Sequence, residues 1–277
     1  MQVGIFAKTF AGCNPEVVLS DVKKAGYELA HYNMSCSGLN PMPLQITDET
    51  VDAVINASLR NNVSLCGLSA TYNMIHPDPV VRVKGSQGLK CLIETAKRIG
   101  TEVVTLCTGT RNTDDQWCAH PDNSSSEAWT DLLTEIEKAV VLAEQNNIKL
   151  GVEPELANVV NTPAKAAQLL SEIRSDCLKI VLDPANLFEK ETLEEQRRLI
   201  SEAIETLGEL IVIAHAKDRL PDGRFTIPGQ GVIDFAYFLR CLRETGFEGP
   251  LITHGIKSSD AKPVGDYLTR LLNGISA

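Results

Sequence analysis

No stretch of this chain approaches the roughly 18 consecutive apolar residues that a membrane-crossing helix needs, so no membrane span is expected. The opening "MQVGIFAKTFAGC" lacks a basic segment followed by a long apolar one, and no secretory signal is expected either. There is no run of lysines and arginines, and the formal net charge is −10. Such a chain repels phosphate backbones, which disfavours nucleic acid as a partner. The eight cysteines are scattered singly without a C-x-x-C pair. They are read as reduced packing thiols of a cytoplasmic protein. No G-x-G-x-x-G follows the first apolar run, where "AKTFAGCNPE" stands. That disfavours the phosphate turn of an open dinucleotide-binding sheet. No linker or low-complexity tract divides the 277 residues, so 1–277 is read as one domain.

What is present is a regular alternation. Short runs rich in Val, Ile and Leu, among them "QVGIFA", "EVVTLCTG", "KLGVEPE", "KIVLDPA", "LIVIAHAK" and "PLITHGI", mostly lack polar alternation. Strands buried on both faces of a parallel sheet have this pattern. Between them lie helical patterns. "PEVVLSDVKKAG" has Pro at its start and Gly at its end, "DETVDAVINASLRNN" offers Asp48 as its N-cap, and a third helix is placed over "VRVKGSQGLKCLIETAKRIG". Eight strand–helix units in a chain of this length predict a (β/α)₈ TIM barrel, with a doubly wound open sheet as the alternative.

In a barrel the C-terminal strand ends face the active site. All five histidines, His31, His76, His120, His215 and His254, fall at or just beyond such ends. Four of the apolar runs end in a polar group: Glu153, Asp183, His215 and His254, each about one β/α unit after the last. A buried carboxylate is costly unless paired or bound to a metal. Two carboxylates and two imidazoles from consecutive strands form a converging O/N donor set suited to one divalent ion, Mn, Zn, Co, Fe or Mg, rather than Ca. The alternative is a pair of buried salt bridges, Glu153 with Lys217 and Asp183 with Arg219.

At "GVEPE", "LDPAN", "HAKDR" and "GQGVIDF…GPLITHG" the chain resembles the xylose isomerase-like barrels. That sugar phosphate isomerase/epimerase superfamily includes ketose 3-epimerases, inositol-catabolic isomerases and, more remotely, endonuclease IV. The resemblance implies that Glu153, Asp183 and His215 hold one divalent metal and that His254 stands where the family has a fourth ligand, a Glu. Asn186 stands where many members have a His. In the family's epimerases the first and last Glu are also the two acid/base groups. His254 is therefore either a ligand or the second acid/base, with Glu153 as the first.

The implied activity is metal-assisted proton abstraction next to a carbonyl, through an enediolate, on a sugar or sugar phosphate. The alternatives are an endonuclease IV-like phosphodiesterase, an inosose dehydratase-like lyase and a sugar-binding barrel without catalysis. Substrate contacts are expected from Lys217, Arg219 and Asn186. The long loop "CTGTRNTDDQWCAHPDNSSSEAW" is expected to act as a lid, with Trp117 stacking on a sugar and Arg111 catching a phosphate or carboxylate. His76, in "SATYNMIHPD", is a further rim candidate. Homo-oligomerisation is possible for such a barrel.

Overall fold

The computed structural model describes residues 1–275. Strands β1 (Gln2–Phe6), β2 (Leu29–Tyr32), β3 (Ser64–Ser69), β4 (Val103–Cys107), β5 (Lys149–Glu153), β6 (Leu178–Leu182), β7 (Ile211–Ala216) and β10 (Pro250–Thr253) close into a barrel, each hydrogen-bonded to its sequence neighbour and β10 to β1. Every pair is parallel, so all eight C-terminal ends open on one rim. Helices α1 (Pro15–Lys24), α2 (Asp48–Asn61), α3 (Pro79–Arg98), α4 (Ser126–Asn146), α5 (Pro163–Ile173), α6 (Leu193–Leu207), α7 (Phe235–Glu244) and α8 (Ser258–Ile275) form the outer ring. The expected (β/α)₈ barrel is therefore the fold. No described helix is long and apolar enough to cross a membrane.

Helix starts follow local capping chemistry. The side chains of Asn14, Asp78, Ser125, Thr162, Thr192 and Asp234 each accept a backbone N–H of the first turn. Two boundaries differ from expectation. Thr47, not Asp48, caps α2, its Oγ1 accepting the Thr50 N–H at 3.3 Å. Asp48 instead occupies the first helical turn and pairs with Arg98. Helix α3 starts earlier, at Pro79, because Asp78 supplies the cap and proline suits the first position. A two-stranded antiparallel hairpin, β8 (Asp218–Arg219) with β9 (Phe225–Thr226), was not expected; its Asp222–Gly223 turn puts Gly223 at φ 89°.

Side chains two residues apart on a strand share a face. Val103, Val181, Ile213 and Ile252 form their own buried cluster, with Leu29 packed against it, separate from the larger strand–helix core. Two positions further along each strand lie Thr105, Asp183, His215, His254 and His31. The barrel interior is thus an apolar plug with a polar layer directly above it. Burying each Val or Ile of the plug contributes about 1.5–3 kcal/mol, which makes it a firm floor for groups that would otherwise draw in water.

Candidate metal centre

Glu153 ends β5, Asp183 follows β6, His215 lies near the end of β7, and His254 follows β10. One donor atom from each falls within 4.8 Å of all the others. The Nδ1 of His215 lies 3.1 Å from Oε1 of Glu153, which also accepts the Asn186 side-chain amide at 3.0 Å. The Nε2 of His254 lies 3.3 Å from Oδ2 of Asp183, while Oδ1 of Asp183 accepts the Ala185 N–H at 2.9 Å. The two imidazole rings are 4.5 Å apart, centre to centre.

The residues fit a divalent cation. Two carboxylates and two imidazoles, Asp183 and His215 buried and Glu153 and His254 part-buried, offer the mixed oxygen and nitrogen donors that Zn²⁺, Fe²⁺, Co²⁺ or Mn²⁺ takes. His215 Nε2 is buried with no hydrogen-bond partner among the described residues, a costly state for an imidazole nitrogen with nothing to meet. Burial raises the Asp183 carboxyl, but the His254 hydrogen bond and charge outweigh it, and Asp183 is held below the usual carboxylate range. Burial and then the neighbouring His215 push His254 down. For His215, burial acts downward, and the charge and hydrogen bond of Glu153 reverse it, leaving the group raised.

A cavity of about 470 Å³ opens above this cluster, large enough for a small-molecule ligand. Asn186, Lys217 and Trp117 line it, the tryptophan 49% exposed. Arg111, Arg219 and His76 are not among its lining residues. Arg111 donates to the Ile75 carbonyl at 2.9 Å and pairs with Asp131 at 2.8 Å. Arg219 donates to the carbonyls of Ala185 and Gly223 and stacks on Phe225. His76 accepts the Asp78 N–H at 3.0 Å and faces the Thr113 carbonyl. These two arginines and His76 hold loops in place. The considered salt bridges of Glu153 with Lys217 and Asp183 with Arg219 do not form. Each carboxylate takes a histidine instead, and Lys217 Nζ sits 3.3 Å from the centre of the Phe225 ring.

Sequence reading gives no site role to several cavity residues, among them Lys8, Glu155 and His31, the last noted only as one of the histidines at strand ends. Glu155 had a signal, since it lies two positions after Glu153 in "GVEPE" and so on the same side of an extended chain. Its carboxyl is pushed up to about 9, first by burial and then by the charge of Glu153. A carboxyl raised from its ordinary 4.5 binds its proton more tightly in the folded state. The stability it contributes is full below about pH 4.5 and is lost as pH rises toward 9. Metal-free wild-type protein is therefore expected to lose melting temperature between about pH 5 and pH 9 more steeply than Glu155→Gln. Parallel melting curves for the two proteins across that range would count against this ionisation.

The chain is 24% identical over 208 residues to the L-ribulose-5-phosphate 3-epimerase UlaE of Shigella flexneri serotype 5b (strain 8401), covering 72% of this chain and 67% of that one. Among solved structures, a D-tagatose 3-epimerase-like protein superposes with a TM-score of 0.79 at 18% identity, covering 100% of this chain and 98% of that one. The IOLI protein with a bound zinc atom superposes with a TM-score of 0.73 at 18% identity, covering 99% of both chains. The family model of the xylose isomerase-like TIM barrel matches residues 19–271, and the chain belongs to that family.

Proposed function

We propose that the protein is a divalent-metal-dependent ketose epimerase or isomerase that moves a proton next to a carbonyl. The observation that carries this reading is the set of four convergent donors, Glu153, Asp183, His215 and His254, at the floor of a sugar-sized cavity. The solved epimerase folds and the ketose-phosphate epimerase relative favour the same chemistry. Asp183, His215, His254 and Glu153 would hold the ion. When bound, it supplies Lewis acidity to a carbonyl and its adjacent hydroxyl, which makes the C–H between them acidic.

The protein's own groups do the rest. Glu153 is the base: its Oε1, beside the Asn186 amide and His215 Nδ1, is the oxygen that would hold the ion, which leaves Oε2 to take the proton. His254 acts as a ligand, because its neutral imidazole is tied to Asp183 and is pushed toward the unprotonated form. Lys217 and Asn186 contact substrate oxygens, and Trp117 covers the open side. His76 and His120, which a multi-zinc phosphodiesterase would recruit, instead accept backbone N–H groups of turns, from Asp78 and Asp122.

Elemental analysis of protein purified without chelator or His-tag, beside His254→Ala, tests the reading. About one Mn, Zn, Fe or Co per chain is expected, with affinity at least about tenfold weaker in the variant, together with solvent deuterium uptake into a ketose. Equal metal affinity in the two proteins would reassign His254 to proton transfer. Absence of bound metal even after added Mn²⁺ would remove the mechanism.

A further inference from the structure

We propose that His31 is a specificity-determining contact that reads one hydroxyl of the ketose, on the side of the cavity opposite the carboxylates. This rests on the epimerase reading above and adds a residue that the metal set does not use.

The position is built for an inward-facing imidazole. His31 pairs in register with Phe6 on β1 and Gly67 on β3, and the β2–β3 register shifts between Ala30 and His31. Such irregularities re-aim a side chain next to an active site. Gly67 supplies the room: a Cβ there would lie 3.1 Å from Cδ2 of His31 and 3.2 Å from Cδ1 of Ile213. The Phe6 ring packs 5.0 Å away on one side. On β4, the Thr105 hydroxyl lies 3.1 Å from His31 Nε2. Both His31 and Thr105 line the cavity.

The imidazole is 4% exposed. Its ring lies 6.3 Å from that of His215, against 4.5 Å between His215 and His254, so it stands beside the metal cluster rather than within it. Burial, followed by the charges of His215 and His254, pushes His31 down to about 3, so it stays neutral at working pH. Thr105 occupies one nitrogen, and no described residue hydrogen-bonds Nδ1. A neutral ring that lines a ligand cavity, with one nitrogen anchored and the other unpartnered among the described residues, offers a single directional hydrogen bond. Charged groups elsewhere in the cavity lining, Lys8, Glu153 and Lys217, cannot give that discrimination so cleanly, because a full charge holds any nearby hydroxyl with little regard to direction.

Direct binding to the metal-loaded protein tests the role. A ketohexose and its monodeoxy analogues are titrated calorimetrically into wild type, His31→Phe, His31→Gln and Thr105→Val, with kcat and KM measured alongside. One deoxy analogue is expected to bind wild type about tenfold more weakly than the parent sugar. His31→Phe is expected to bind that pair equally, with KM raised and metal content unchanged. His31→Gln restores part of the preference, and Thr105→Val loses part of it. If His31→Phe does not fold, the other two variants carry the comparison. The same deoxy preference in every folded variant overturns the assignment, because a packing role changes melting temperature alone. A wild type that binds no ketose overturns both this inference and the epimerase reading. A wild type that binds and epimerises ketoses with a His31-independent preference overturns the inference alone.

Discussion

Replacing Glu153 by Gln is expected to slow proton exchange between a ketose substrate and solvent by about 10²–10⁴-fold at saturating metal. The substitution keeps side-chain length and leaves an oxygen that can still accept from Asn186. It removes the only form of residue 153 that can take a proton. It also weakens the metal site, so exchange must be read under metal saturation, with occupancy measured in the same sample. Asn186→Ala is the control. It frees Oε1 from an amide 3.0 Å away and disturbs the aim of Glu153 without removing it, so a smaller loss of about tenfold is expected, within the range for a positioning contact. Exchange by Glu153→Gln within tenfold of wild type, at full occupancy, would move the base elsewhere in the cavity. Glu155 would then be the first residue to examine.

The donors that proved convergent were legible because of where they sit. A carboxylate or imidazole that closes a Val- and Ile-rich run has no place in an apolar core, so Glu153, Asp183, His215 and His254 declared themselves one strand at a time. The barrel was legible for the same reason, as repeated apolar runs separated by amphipathic helices. His31 stands among the histidines at strand ends, but it lies inside a shorter and more polar run, "ELAHYN", and nothing there gives it a role. Its inward aim depends on the register shift at Ala30 and on the space left by Gly67, and both are tertiary facts. Arg111, Arg219 and His76 were drawn toward the site by charge and loop position. Sequence does not disclose that nearby backbone carbonyls and Asp131 already engage the arginines. The β8–β9 hairpin was hidden within "HAKDRLPDGRF", where an Asp-Gly pair between two short runs was the available turn signal.

That hairpin carries the largest expected effect on stability. Asp218 follows the cavity lysine Lys217 and is fully buried, yet no cation among the described residues forms an ion pair with it. Its carboxylate accepts four backbone N–H groups: Arg219 at 2.8 Å and Ile233 at 3.1 Å on Oδ1, Gly229 at 2.9 Å and Gly231 at 3.0 Å on Oδ2. One side chain thus folds the loop from Gly229 to Ile233 back onto β8. Gly231 permits this approach, since a Cβ there would lie 2.2 Å from the Arg219 carbonyl oxygen. Asp218→Ala would leave the four donors without their acceptor. Each unsatisfied buried donor costs about 1–3 kcal/mol, so a loss of at least about 4 kcal/mol is expected even if the loop relaxes partly toward water. For a chain of this size that corresponds to a fall in melting temperature of about 10 °C or more. Asp218→Asn should recover only part of the loss, because its amide nitrogen faces N–H groups that need an acceptor. A fall of less than about 3 °C for Asp218→Ala would show that the loop finds other acceptors. Since Lys217 lies next to Asp218, KM should rise in both variants even at temperatures where each is fully folded. A purely global loss of stability would leave KM unchanged there, so the KM measurement separates the loop's support of the cavity from its support of the fold.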